Sequence, residues 1–182
     1  MSKVIKWALI IVGALIVIGF VGFNILKKQT KKHSPEAVEV IAINDTEVEV
    51  KYCRPFKKDR EIFGGLVPYG EVWRTGANEA TRFKTNQDLT INGKTLKAGE
   101  YTLWTIPNKD QWDIIWSKKL YDWGVDFSAK AAREPKHDAL KVSVPTEELP
   151  QTVEQFTIKF SDDLTMHLMW DKTRVSVPLA SS

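Results

Sequence analysis

The sequence predicts an all-β domain, an antiparallel sandwich or jelly-roll-like barrel of about nine or ten short strands with one long packed loop, carried on a single transmembrane helix. Three observations predict it. Apolar and polar residues alternate with period two through most of the chain after Val38. Turn-forming residues separate the alternating runs. One uninterrupted apolar run, Trp7 to Leu26, stands near the N-terminus. Alternation matters because successive side chains of an extended strand point to opposite faces, so a half-buried sheet needs that period.

The apolar run comes first in the chain, after a short basic N-terminus of residues 1–6. WALIIVGALIVIGFVGFNIL holds one polar residue, Asn24, close to its end. Twenty residues rising 1.5 Å each span about 30 Å, the hydrocarbon thickness of a bilayer. Trp7 sits where an interfacial aromatic belongs, so Trp7 and Leu26 bound the predicted anchor at residues 7–26. The run exceeds the apolar core of a cleaved signal, and no small-residue cleavage site follows it. Residues 27–37, KKQTKKHSPEA, read as a basic tether able to touch anionic headgroups. The lipid bilayer is therefore the first expected partner. Two lysines precede the run and four follow it, a bias that favours a cytoplasmic domain.

Residues 38–182 form the predicted soluble domain. Val48, Val50 and Tyr52 alternate with Glu47, Glu49 and Lys51. Trp112, Ile114 and Trp116 share a face, as do Leu140, Val142 and Val144, then Phe156, Ile158 and Phe160. Met166, Leu168 and Trp170 form another set, and Val175, Val177 and Leu179 the last. Asn44-Asp45, Asn92-Gly93, Asn108-Lys109-Asp110, Asp162-Asp163 and Asp171-Lys172 supply turns between runs. Two stretches break the rhythm. Residues 54–80 lack sustained alternation but are too rich in aromatic and aliphatic side chains to stay unpacked. Residues 117–137 form a second insertion with Tyr121, Trp123 and Phe127, in which 126–134 allow a helical turn or two.

Charge and motifs narrow the function. Residues 1–33 hold six lysines and no acid, so the remainder has 20 basic residues against 23 acidic. The basic character belongs to the membrane flanks, and a mildly acidic domain excludes a nucleic-acid partner. Cys53 is the only cysteine, which excludes an intrachain disulfide and reads as a small buried hydrophobe. His33, His137 and His167 stand apart, with no spacing that would make a zinc site, and no phosphate loop, dinucleotide fingerprint or nucleophile elbow occurs. Neither cofactor nor metal is expected. Trp104 and Trp123 read as packing residues before carbohydrate platforms.

The irregular stretch carries the candidate site. Trp73, Arg74, Asn78 and Glu79 crowd donors, an acid, an aromatic plane and a glycine turn into seven residues, with Arg54 and Arg60 upstream. The arginine fork suits carboxylate, phosphate or diol oxygens, so the segment suits a small polar, anionic or glycan-like ligand. The competing reading is that Arg74 and Glu79 pair with each other or with backbone and pin the loop. An enzymatic reading makes Glu79 the acid or base of a hydrolase, with Asp113 or Asp59 as second carboxylate. A third makes the domain a non-catalytic subunit of an envelope complex.

The runs Tyr52-Cys53-Arg54-Pro55, Leu66-Val67-Pro68-Tyr69-Gly70 and Trp73-Arg74-Thr75-Gly76-Ala77-Asn78-Glu79-Ala80-Thr81, with Gly99-Glu100-Tyr101-Thr102-Leu103 downstream, resemble the bacterial family called domain of unknown function 2911, over about residues 38–179. The resemblance implies a β-rich envelope protein and no established activity. It implies export of the domain, to the periplasmic side, in opposition to the lysine bias. It also implies glycine where Cys53 stands here, which opposes a catalytic thiol.

Overall fold

Residues 2–126 and 128–181 are described by a computed structural model, in which the chain forms two units, Met1–His33 and Ser34–Ser182. Phe127 lies outside the described residues.

The first unit is one helix, α1 (Lys3–His33), long and apolar enough to cross a membrane. Its apolar side chains are exposed on every side, which water would not tolerate over this length and hydrocarbon would. The helix does not stop at Leu26. It runs through the lysines, so the first seven residues of the expected tether are helical. Lys31, Lys32 and His33 occupy the last turn, where positive charge meets the negative end of the helix dipole.

The second unit is antiparallel β-structure, with ten strands among the described residues. A seven-stranded sheet runs in the order β1 (Glu36–Ile43), β2 (Thr46–Cys53), β3 (Arg82–Thr85), β6 (Gly99–Pro107), β7 (Gln111–Ser117), β8 (Asp138–Phe160), β9 (Thr165–Pro178). A small sheet pairs β10 (Ala180–Ser181), β4 (Leu89–Ile91) and β5 (Lys94–Leu96). Asn44, at φ 53°, makes the β1–β2 turn. Asn92 and Gly93, at φ 48° and 70°, make the primed turn between β4 and β5 that such a pair favours. β8 and β9 are longer than the runs read from sequence. Each joins two alternating segments into one continuous strand, with register shifts between Glu148 and Val153 and between Val153 and Thr157. Asp171, at φ 54°, reverses β9 on itself, so that Leu179 N–H donates to Leu164 O at 3.1 Å.

The alternating apolar residues point inward as a set. Val48, Val50, Tyr52, Ile114, Trp116, Phe156, Met166, Leu168, Trp170 and Val175 are all buried. Trp170 stacks on Trp73 with ring centroids 5.8 Å apart, while Phe63 and Phe156 meet Trp73 edge-on. The outer face of β6 and β7 is covered as well. The described residues of 117–137 fold across it and bury Trp104 and Ile115 with Tyr121, whose ring lies 5.2 Å from that of Trp104. The described residues of 126–134 form turns and a bridge from Val125 to Ala131, not a helix.

Candidate functional site

The stretch between β2 and β3 is stitched into the sheet. Trp73 exchanges backbone hydrogen bonds with Thr105, N–H to O at 2.7 Å and 3.0 Å, and Leu103 N–H donates to Thr81 O at 2.9 Å. Residues 72–81 thereby continue the pairing that β3 makes with β6. Three residues of this stretch take left-handed backbone: Thr75 (φ 57°), Gly76 (φ 152°) and Asn78 (φ 56°). Gly76 has a steric reason, because a Cβ there would lie 2.8 Å from Cys53 O. Thr81 Oγ1 donates to Thr75 O at 2.7 Å and Thr75 Oγ1 to Thr105 Oγ1 at 3.2 Å, which holds the kinked backbone from inside.

The six residues singled out by sequence fall into different places. Arg54 donates from Nε to Phe156 O at 3.1 Å and from Nη2 to Thr157 Oγ1 at 2.8 Å. Arg60 is exposed and caps the carbonyls of Phe56 and Lys57. Trp73 packs against the core. Asn78, only 8% exposed, donates from Nδ2 to Ser34 O at 3.2 Å and so fixes the first residue of the β unit. Arg74 and Glu79 come together at one corner, beside Cys53 at the end of β2.

That corner includes two residues sequence reasoning did not place there. Cys53 Sγ lies 3.4 Å from Glu79 Oε2. Glu36 faces Cys53 across the β1–β2 ladder, and the sulfur and the carboxylate oxygens of Glu36 and Glu79 lie within 4.8 Å of one another. The signal was available: a hairpin turning on Asn44-Asp45 sets residue 36 opposite residue 53. Asp113, considered beside Glu79 from sequence, is instead engaged by Lys141 and Ser143. Lys51 Nζ reaches Glu36 at 3.1 Å. Arg74 Nη1 donates to Trp123 O at 3.1 Å, which ties the two insertions together. Burial pulls the Arg74 pKa down, and the fields of Cys53 and Glu79 oppose that shift. One sulfur and two carboxylates form a donor set of the kind that holds zinc, here with Arg74 and Lys51 already supplying positive charge. For a small molecule, the corner offers a cation and carboxylates side by side.

The molecule is thus of a definable class: a curled antiparallel β domain following a helix able to span a membrane, with a charged corner where its longest loop meets its first hairpin. The chain belongs to the family described as Protein of unknown function (DUF2911), which it matches over residues 34–179. No curated protein and no solved structure matches it.

Proposed function

We propose that this chain is a single-pass membrane protein of the bacterial envelope whose β domain faces away from the cytoplasm and binds a small polar ligand at the Arg74–Glu79 corner. Arg74 carries the reading. Its guanidinium is half-buried, and its one hydrogen bond among the described residues uses a single N–H of the five it possesses. Holding a cation partly out of water is costly without compensation, and a ligand oxygen seated on the remaining donors supplies it. Glu79 beside it accepts from ligand hydroxyl or amine groups, so a molecule with both donors and acceptors fits best.

The test uses the full chain in detergent with a panel of sugars, amino acids and small carboxylates, read by thermal shift. At least one should raise the melting temperature of the native chain. Arg74→Ala should abolish that rise while leaving the free protein folded, and Arg74→Lys should retain part of it. Unfolding of Arg74→Ala, together with an unchanged ligand response in Arg74→Lys, would show that Arg74 only pins the loop. Protease accessibility of the domain in spheroplasts tests the side of the membrane; a protected domain would overturn the outward placement.

A further inference from the structure

A separate open cleft of about 210 Å³ lies away from the Arg74 corner, and none of the corner's residues lines it. It forms where four pieces of chain meet: the loop after β2, the β6–β7 turn, the bend of β8 past Thr146, and the reversal of β9 at Asp171. The register shift after Glu148 opens the ladder on this side.

The floor is aromatic. Phe63 and Trp112 meet edge-on with centroids 4.7 Å apart. Trp112 is buried, and its indole N–H has no acceptor in the protein. The rim adds groups that are equally uncommitted. Among the described residues, the Tyr69 hydroxyl, the side-chain amide of Asn108 and the ammonium of Lys172 make no hydrogen bond or ion pair within the protein. Lys109 Nζ stands 6.0 Å from the centre of the Tyr69 ring, and Tyr69 is 38% exposed.

The balance of these groups defines the ligand. Glu147 is already taken by Arg174 and Ser176, so its charge is not open to a ligand. Two lysines, Lys109 and Lys172, then line the cleft beside one uncommitted carboxylate, Glu148. The surplus is of donors and positive charge, in a domain that is acidic as a whole. An exposed tyrosine ring beside them suits the C–H face of a sugar. The volume lies below the roughly 300–1,000 Å³ of pockets for drug-sized ligands, which limits the occupant to about one ring. From these features we infer that the cleft binds an acidic monosaccharide unit, its carboxylate on Lys109 and Lys172 and its ring against Tyr69, with the Trp112 indole as the wall behind it.

The cleft shares no lining residue with the Arg74 corner, so experiment separates the two sites. The full chain in detergent is titrated with glucuronate and with glucose, and the Trp112 indole N–H resonance is followed by NMR. Glucuronate should shift that resonance with a Kd of about 1 mM or tighter, at least tenfold tighter than glucose. The Lys109→Met/Lys172→Met double variant, altered only at the surface, should lose glucuronate binding by tenfold or more, and Tyr69→Ala should weaken both sugars. Arg74→Ala should leave the titration unchanged. An unmoved Trp112 resonance, equal binding of the two sugars, or full binding by the double variant would each overturn the assignment.

Discussion

His167 shows how one side chain links this fold to pH. It alternates with Met166 and Leu168 along β9, so its side chain leaves the opposite face of the strand from theirs. The structure sets its ring between two hydroxyls, Ser161 on Nε2 and Ser176 on Nδ1, each at 3.0 Å. Ser161 in turn donates to Asp163 and Ser176 to Glu147. Burial, and after it the positive Arg174, push the imidazole's pKa below its ordinary value of 6.5, against the pull of Asp163 and Glu147. The folded chain therefore takes up this proton at lower pH than the unfolded chain does. Between the two values the unfolded state holds more protons, so this group's contribution to stability is lost as pH falls below about 6.5. Carboxylates also titrate on acidification, so the useful comparison is with a variant that keeps the polar contacts but cannot charge. Between about pH 7.5 and pH 5.5, the melting temperature of the native chain should fall further than that of His167→Gln. Equal falls would mean that the ring's protonation is not coupled to folding.

The strands were legible at the scale of elements because half-buried sheet imposes its period on the side chains. Every alternating run read from sequence, from Val48-Val50-Tyr52 to Val175-Val177-Leu179, turns its apolar set inward. The joins were less legible. Nothing in the period tells whether Leu140–Val144 and Phe156–Phe160 are two strands or one bent strand, because register shifts decide that and they depend on the partner. The loop after β2 was visible as packed, but its partner was not, since Trp73 meets Thr105 and Trp170 only after the whole sheet has formed. Its aromatic content predicts what it contributes. Trp73 touches Phe63, Trp112, Phe156 and Trp170 at once, so no neighbour can move in to fill its place. Trp73→Ala should destabilise the domain by about 3–5 kcal/mol in denaturant melts. The loss should come with faster hydrogen exchange at Thr105 N–H, whose acceptor is Trp73 O. A small loss with Thr105 still protected would show that the backbone bridge, not the indole, holds the loop.

Across the whole molecule, the division into helix and β domain follows from which surfaces each leaves to its surroundings. The β domain closes its own core: the alternating apolar set, the aromatic cluster around Trp73 and the smaller cluster around Trp104 all lie within residues 34–182. It also ties down its own start, since Asn78 holds Ser34 O and Arg54 N–H donates to Pro35 O at 2.8 Å. The helix has no core of its own; it leaves its apolar side chains exposed and is long and apolar enough to cross a membrane. The candidate corner was only half legible for a related reason: Arg74 and Glu79 stand in one short segment, whereas Glu36 and Cys53 reach it through a hairpin ladder. A chain beginning at Ser34 should therefore fold alone, stay in solution without detergent, and unfold with the same denaturant midpoint as the full chain in detergent, because the residues of both core clusters belong to the β unit. Loss of Asn78 as a clamp would act on that truncated chain first, since its new terminus frays where Ser34 O is released. Asn78→Ala should accordingly lower the truncated chain's midpoint, with a loss of stability of about 1–3 kcal/mol for a buried carbonyl left without its donor. Sedimentation of the full chain with carbonate-washed membranes, against a soluble truncated chain, completes the comparison. A truncated chain that aggregates or melts without cooperativity would show that the helix belongs to the fold and not only to the bilayer.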